Sequence, residues 1–226
     1  RSEGIDRQTL VLFTSDNGSY REKAGSNAPL RGRKGRTDEG GMRVPCVGRW
    51  PGQIPANSRS AAVTSTIDLL PTLAEITGAK LPDHPIDGMS ILATLKNPKT
   101  PTPRQEKGFF YYRNNRIEAV RLGKWKLRLA GGRGKKNKGK PAGGMELYDL
   151  DAEIGETTNV AGKNLDAVKK LQELAKARMG GLAARICLVL LASDAPAATA
   201  AAPAFDADDE AMLCICLLYT SPSPRD

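Results

Sequence analysis

TLVLFTSDNG, residues 9–18, is the stretch that decides the fold, and LRGRKGRTDEGGMRVP, residues 30–45, is its partner. The first is an apolar run that ends at the turn Asp16-Asn17-Gly18. This pattern predicts a buried strand of a parallel sheet, with two oxygen-bearing side chains at its carboxyl end, where open α/β sheets bind ligands. The second stretch places Lys34 among glycines that allow the backbone to approach a ligand closely.

Length and composition indicate a soluble globular protein. The 226 residues suffice for one full domain and a smaller one, and 40% apolar with 26% charged residues is ordinary. The net charge of +9 suggests an anionic partner or a solubilising surface. We expect no nucleic-acid partner, because no recognised nucleic-acid-binding motif is present. We expect no membrane partner, because no apolar run reaches the roughly twenty residues needed to span a bilayer.

The order of predicted elements separates an α/β part from a small antiparallel part. The α/β part has strands near residues 10–14 and 44–50 and a helix over 64–78, and the Pro-rich segment 99–107 is the predicted linker. The second part contains hairpin strands near 108–112, 117–121, 124–129 and 145–150, and a helix over 163–179 with one apolar stripe. The predicted fold class is therefore α/β, followed by a small antiparallel sheet with a C-terminal helix.

Two segments stand apart in composition. The glycine-rich basic loop 131–144 is predicted to be mobile. It is either a solvated hairpin tip or an electrostatic guide for anionic substrates. Residues 180–226 form a low-complexity tail predicted to be disordered, and residues 216–226, CLLYTSPSPRD, back-translate to a DNA-library adapter. We therefore exclude 216–226 from the fold as a sequencing artefact.

Asp16, Asn17 and Lys34 are the candidate site residues. Asp16 and Asn17 are adjacent hard-oxygen donors that could share a divalent cation such as Ca²⁺, although Asp-Asn-Gly is also a common plain turn. Lys34 is suited to hold a tetrahedral anion such as sulfate or phosphate, although a lysine between two arginines is also typical of a charged surface.

The other polar residues near these stretches are interpreted as structural. Glu39 and Arg43 could pair with each other or orient the loop. His84, the one histidine of the sequence, lies among turn formers and is interpreted as a loop residue. Asp68 falls in the first turn of the predicted helix, where it would favour the helix dipole.

The order of these motifs resembles the arylsulfatase family. TLVLFTSDNG, LRGRKGRTDEGGMRVP, GRWPG, STIDLLPTLAEITG and IDGMSI are similar to the C-terminal half of that family's catalytic domain. AVRLGKWKLRL and ELYDLDAEIGETTNVA resemble its small C-terminal subdomain. The resemblance implies that residues 1–98 belong to an alkaline-phosphatase-like catalytic domain and residues 108–179 to the subdomain.

The resemblance also implies a chemistry and a site. Members of the family hydrolyse sulfate esters, so a sulfate-ester substrate, in particular a sulfated glycan, is the implied partner. The Asp-Asn pair of the family binds Ca²⁺, which corresponds to Asp16 and Asn17. Its lysine in G-x-K-G-x-x-x-E-G-G-x-R contacts the sulfate, which corresponds to Lys34. The implied compartment is exported or lysosomal.

One part of the family's site is missing from this sequence. The family's nucleophile is a formylglycine made from the Cys or Ser of C/S-x-P/A-x-R, and this pattern does not occur here. We expect it, with further metal ligands and histidines, in a missing N-terminal half, so that the fragment alone is inactive. The alternatives are a phosphodiesterase or phosphonate hydrolase of the same superfamily, and an inactive fragment that binds polyanions or does not fold alone.

Overall fold

The computed structural model describes residues 3–20, 25–113, 116–129 and 144–192, and side chains within these ranges through residue 180. The predicted basic loop, apart from Gly144, and the predicted tail beyond residue 192 lie outside the described residues. Within the described part, no helix is both long and apolar enough to cross a bilayer.

The first sheet is a two-stranded ribbon. Strand β1 (Val11–Thr14) pairs antiparallel with β2 (Cys46–Arg49), so that Phe13 lies opposite Val47. The prediction of a buried strand in a parallel sheet is wrong for β1 in this structure, because Phe13 and Val47 are 70% and 61% exposed. An apolar run reports a preference for burial, whereas pairing direction depends on which strand lies alongside. Among the described strands, only β2 pairs with β1.

The second sheet has four antiparallel strands in sequence order. These are β3 (Phe109–Arg113), β4 (Arg116–Leu122), β5 (Trp125–Arg128) and β6 (Glu146–Asp149). Side chains alternate between its two faces. The apolar face buries Val120, Leu127 and Leu147, which pack against Leu171 and Ala175 of the C-terminal helix. The predicted small antiparallel sheet with a C-terminal helix is therefore confirmed.

The two predicted helices are present with shifted ends, and a further short helix lies in the segment 99–107 that was predicted to be a linker. The short helix α1 (Glu39–Met42) begins beyond Asp38, α3 spans Leu92–Lys96 and α4 spans Arg104–Lys107. A 3-10 turn (Thr66–Asp68) leads into α2 (Leu69–Thr77), which ends at Gly78 with φ +73°. The last helix, α5, spans Leu165–Ala192 and so continues beyond the predicted end at residue 179. Further 3-10 turns lie at Asp6–Gln8 and Ala161–Lys163.

Asp68 has a larger role than the predicted effect on the helix dipole. Its side chain is fully buried and accepts hydrogen bonds from the backbone N–H groups of Ser65 (2.8 Å) and Met89 (3.0 Å). Both of its oxygens also pair with the guanidinium of Arg104, with an Nε–Oδ2 distance of 2.9 Å. Asp68 thus ties the start of α2 to the loop before α3 and to α4, inside the segment predicted as a linker.

Candidate active site

The turn after β1 presents Asp16 and Asn17. The Ser15 hydroxyl donates to the Asn17 carbonyl oxygen (2.9 Å), which closes the turn directly after the strand. The Asp16 residue is exposed, Asn17 is half-buried, and Gly18 is buried. The predicted site residues therefore stand at the carboxyl end of β1, as the sequence indicated, although the sheet differs.

The loop that carries Lys34 is joined directly to this turn. The Lys34 N–H donates to the carbonyl oxygen of Ser19 (3.2 Å). The Asn27 side chain accepts from the Ser19 N–H (2.8 Å) and donates to the carbonyl oxygens of Ser19 (3.0 Å) and Gly32 (3.1 Å). Lys34 itself is exposed. The structure thus brings the backbone segments of all three predicted residues together.

Glycines allow the two loops to pack backbone against backbone. The Gly18 N–H donates to the Gly41 carbonyl oxygen (3.2 Å), and a Cβ on Gly18 would lie 1.8 Å from the Gly40 oxygen. A Cβ on Gly40 would lie 2.6 Å from the Arg31 oxygen. These contacts leave no room for a side chain. The glycines of the sequence motif therefore serve loop packing, in addition to any approach to a ligand.

A buried charged cluster lies beneath the loop. The ammonium of Lys126, in β5, donates to the Thr37 carbonyl oxygen (2.8 Å) and to Glu39 Oε1 (2.9 Å). The same nitrogen lies 2.9 Å from Glu156 Oε1 and 4.1 Å from the ring centre of Tyr111. Lys126 and Glu156 are 0% exposed, and Glu39 is 2% exposed. We call Lys126, Glu39, Glu156 and Tyr111 the buried cluster.

Glu39 was predicted to pair with Arg43 or to orient the loop, and the structure gives its partners. Its carboxylate accepts from Tyr111 (2.7 Å) and Lys126 and lies 3.6 Å from Arg121. With Arg43, Glu39 shares only the backbone bond from the Arg43 N–H to the Glu39 oxygen (2.7 Å) among the bonds described. His84, as predicted, lies exposed in a loop.

The two buried carboxyl groups have opposite pKa shifts. Burial would raise the pKa of Glu39, but the Lys126 ammonium and the Tyr111 hydroxyl hold it below its usual value. The pKa of Glu156 is raised, because burial outweighs the attraction of Lys126. Burial and the neighbouring Glu39 also raise the pKa of the Tyr111 phenol well above its usual value, so that it stays a hydrogen-bond donor.

Glu156, which follows β6 in the chain, binds the loop that carries Lys34. Its Oε2 accepts from the Glu39 N–H (2.7 Å), and its carbonyl oxygen accepts from Arg31 (2.8 Å). Its backbone has φ +54°, a left-handed conformation that costs a non-glycine residue about 1–2 kcal/mol. Glu156 therefore keeps an unfavourable backbone conformation while it binds both ends of the loop.

Three arginines lie within 4 Å of the Asp38 carboxylate, beside the buried cluster. Its carboxylate lies 2.6 Å from Arg36 Nε, 3.4 Å from Arg128 and 3.8 Å from Arg31. Burial would raise the pKa of Asp38, but the hydrogen bond from Arg36 and the charge of Arg128 keep it lowered. The loop around Lys34 is thus fixed to the polar face of the four-stranded sheet by charges on both sides.

Sequence reasoning missed Lys126 and Glu156. The segment 124–129, KWKLRL, alternates basic and apolar residues, so the pattern assigns Lys126 to a solvent-exposed face. In the structure the Lys34 loop covers this basic face and buries Lys126. The sequence carried no signal for this contact, because the burial of the Glu39 carboxylate, which requires a cationic partner, is known only from the structure.

The first 79 residues match a known family. The family model described as Sulfatase matches residues 1–79, which contain both loops. Within the chain, residues 1–79 are therefore similar to part of a sulfatase-family domain. The resemblance inferred from the order of motifs is confirmed.

Curated relatives are similar to more of the chain than these 79 residues. The chain is 41% identical over 128 residues to mouse (Mus musculus) steryl-sulfatase, covering 52% of the chain and 20% of that protein. It is 34% identical over 196 residues to human (Homo sapiens) arylsulfatase A, covering 76% of the chain and 38% of that protein. The chain therefore spans well under half the length of these curated relatives.

A solved structure is similar in arrangement to this chain. It comes from a Bacteroides thetaiotaomicron locus for the metabolism of multiple glycosaminoglycans. The TM-score is 0.64 at 28% identity, and the match covers 78% of this chain and 40% of the other. Because the match covers 78% of this chain, it extends well beyond residues 1–79.

Proposed function

We propose that this chain is part of a sulfuric ester hydrolase and contributes the Lys34 loop and the Asp16-Asn17 turn to its active site. The observation that carries the proposal is the direct bond between the two, from the Lys34 N–H to the Ser19 oxygen at 3.2 Å. Such a bond keeps the backbone that carries the cationic side chain next to the turn that carries the two oxygen donors. This combination suits the binding of a tetrahedral anion next to a divalent cation.

Asp16 and Asn17 fit the donor chemistry of a Ca²⁺ site. One supplies a carboxylate and the other an amide oxygen, and Ca²⁺ prefers such hard ligands in a shell of about six to eight oxygens. The described residues contain no group of three or more His, Cys, Asp and Glu side chains suited to hold a metal. Asp16 and Asn17 would therefore supply only part of the shell. A bound Ca²⁺ would supply positive charge against the oxygens of the ester's anionic group.

Lys34 would bind the sulfate group of the substrate. Its ammonium is a compact charge on a flexible stem, and the loop backbone is fixed at Ser19, so the ammonium reaches out from an anchored base. Negative charge grows on the sulfuryl oxygens as the ester bond breaks. We propose that the Lys34 ammonium stabilises this negative charge.

The nucleophile would come from a part of the protein other than these residues. The C/S-x-P/A-x-R pattern that yields formylglycine is absent from the 226 residues. The proposal therefore predicts an inactive fragment and a complete site only in a longer polypeptide that contains it.

The substrate class is the finer part of the proposal. The named relatives differ, since one is a steryl-sulfatase and another an arylsulfatase, and the solved structure comes from a glycosaminoglycan locus. We propose a sulfated glycan as the substrate, because the net charge of +9 suits a polyanion. We also propose an exported or lysosomal compartment, on the family resemblance alone.

The test is a comparison of variants in a complete sulfatase polypeptide that contains this chain. Lys34→Ala should lower kcat/KM on an aryl sulfate by about 100-fold or more. Asp16→Ala should raise the Ca²⁺ concentration needed for activity. Lys80→Ala, an exposed lysine after α2, is the matched control and should keep wild-type activity.

The same assay separates the alternatives. Equal activity of Lys34→Ala and wild type would remove Lys34 from the site. Faster hydrolysis of an aryl phosphate than of an aryl sulfate would favour a phosphodiesterase or phosphonate hydrolase. A complete polypeptide that hydrolyses neither ester but binds heparin would favour the polyanion-binding alternative.

A further inference from the structure

We propose that Lys126 is a positioning residue for Lys34, which couples the four-stranded sheet to the active site. The inference rests on the proposed function of Lys34. Lys126 lies 87 positions from Glu39 in the sequence and belongs to a strand of the second part, yet its ammonium contacts the Lys34 loop at two points. It does not contact substrate in this assignment but acts through the loop.

The connection from Lys126 to Lys34 can be followed bond by bond. Lys126 holds the Thr37 carbonyl oxygen and the Glu39 carboxylate. The next residue, Gly40, donates to the Arg31 carbonyl oxygen at 2.7 Å, which closes the loop that contains Lys34. The loop is also bonded to the segment of the Asp16-Asn17 turn, from the Lys34 N–H to the Ser19 oxygen and from the Gly18 N–H to the Gly41 oxygen. The base of the loop is thus set by Lys126, and its tip by the turn.

The Lys126 ammonium neutralises two buried carboxylates, so neither a water molecule nor an apolar side chain could take its place. Two carboxylates, Glu39 and Glu156, converge on one ammonium that is 0% exposed. Among the ion pairs of the described residues, Arg121 contacts the Glu39 carboxylate, at 3.6 Å, and not that of Glu156. Without Lys126, two like charges would face each other in a buried space, and the loop would have to move to expose them. Such a displacement at the base would carry Lys34 with it.

The Tyr111 ring restricts the ammonium further. It lies 4.1 Å from the Lys126 nitrogen, and the Tyr111 hydroxyl donates to the same Glu39 oxygen that Lys126 binds. An ammonium above an aromatic face is held electrostatically as well as by its hydrogen bonds. Because Lys126 and Tyr111 converge on one oxygen, the Glu39 carboxylate has a single favoured orientation.

The experiment is a double-mutant cycle in the complete sulfatase polypeptide. We expect Lys126→Met to lower kcat/KM on an aryl sulfate at least tenfold. The double variant Lys126→Met/Lys34→Ala should be no slower than Lys34→Ala, within about twofold, because both changes remove the same interaction. Lys124→Met is the matched control, since Lys124 lies on the same hairpin, is exposed and pairs with Asp149 at 2.7 Å. It should retain wild-type kcat/KM.

Hydrogen exchange gives a second readout that does not depend on activity. In Lys126→Met, the amides of Lys34, Glu39 and Gly40 should exchange at least tenfold faster, while those of Val120 and Leu147 in the sheet should be unchanged. If Lys126→Met does not fold, Lys126→Met/Glu156→Gln removes the cation together with one of its carboxylates, and the same results are required of it.

The outcomes separate this inference from the proposed function. Fully additive losses in the cycle, or a Lys126→Met rate equal to that of Lys124→Met, would overturn the positioning role. Absence of sulfate-ester hydrolysis by the wild type would defeat the proposed function. The exchange data would then decide the inference alone, since unchanged loop amides would overturn it and faster exchange confined to the loop would support it.

Discussion

The Asp68–Arg104 pair provides a sharp test, because the chain contains an exposed pair of the same chemistry. Arg104 and Asp68 are 6% and 1% exposed at their side chains, whereas Arg49 and Asp6 are 48% and 32% exposed. Both pairs are bidentate, with Arg49–Asp6 distances of 2.7 and 2.9 Å. The two pairs therefore differ in burial and in the backbone bonds that Asp68 also accepts from Ser65 and Met89, and Asp68→Asn is compared with Asp6→Asn.

The magnitude for Asp68→Asn follows from what its carboxylate binds. Loss of one partner from a buried ion pair costs about 3–5 kcal/mol, because the other charge stays buried without compensation. The new amide group would also face donors, since Oδ2 accepts from both the Ser65 N–H and Arg104 Nε. We therefore expect about 4 kcal/mol of lost unfolding free energy for Asp68→Asn and at most about 1 kcal/mol for Asp6→Asn.

Urea unfolding followed by circular dichroism measures both changes. With an m-value of about 2 kcal/mol/M, a loss of about 4 kcal/mol moves the midpoint by about 2 M. Arg104→Met in the Asp68→Asn background should recover part of the loss, because it removes the unpaired charge. Equal midpoint shifts for Asp68→Asn and Asp6→Asn would refute the argument that burial sets the value of the pair. If Asp68→Asn does not fold, Arg104→Met alone provides the comparison.

Two further predictions concern the Lys34 loop. Glu39→Gln should destabilise the chain at neutral pH, because the lowered pKa of Glu39 contributes stability as long as this carboxyl is ionised. The difference in unfolding free energy from wild type should shrink as the pH falls below about 4.5, where Glu39 becomes protonated. Urea titrations at several pH values measure this difference, and a difference that grows in acid would contradict the prediction. Gly40→Ala should lower the unfolding free energy by about 1–3 kcal/mol, because the added Cβ would lie 2.6 Å from the Arg31 oxygen. Gly162→Ala is the control, since nothing lies within 4 Å of its added Cβ, and it should leave the unfolding free energy unchanged in the same urea titrations.

The order of the elements could be predicted from sequence, but the partners of the polar residues could not. The helix predicted over 64–78 contains α2, since helix ends depend on residues within one turn. The strand predicted near 124–129 likewise contains β5. The burial of Lys126 depends on a loop 87 positions away, and no local pattern reports such a contact.

The two loops of the predicted site lie side by side in the structure, whereas the site itself stays a prediction. The Asp-Asn-Gly turn and the glycines around Lys34 are local features, and the structure joins the backbones of these two loops next to β1. The pairing direction of β1 was wrong, because Val11 and Phe13 specify an apolar strand without specifying its neighbour. Which atoms bind Ca²⁺ or sulfate stays a prediction for Asp16, Asn17 and Lys34.

The buried cluster also sets how far the polypeptide can be shortened. It joins Glu39, Lys126 and Glu156, and the bond from Glu39 to Glu156 spans 117 positions. A truncation at the Pro-rich segment near residue 99 would leave the Glu39 carboxylate without its ammonium, and one just before residue 156 would leave the Glu39 amide without its acceptor. Any minimal unit designed to retain the Lys34 loop must therefore reach past Glu156, even though the loop itself ends more than a hundred residues earlier.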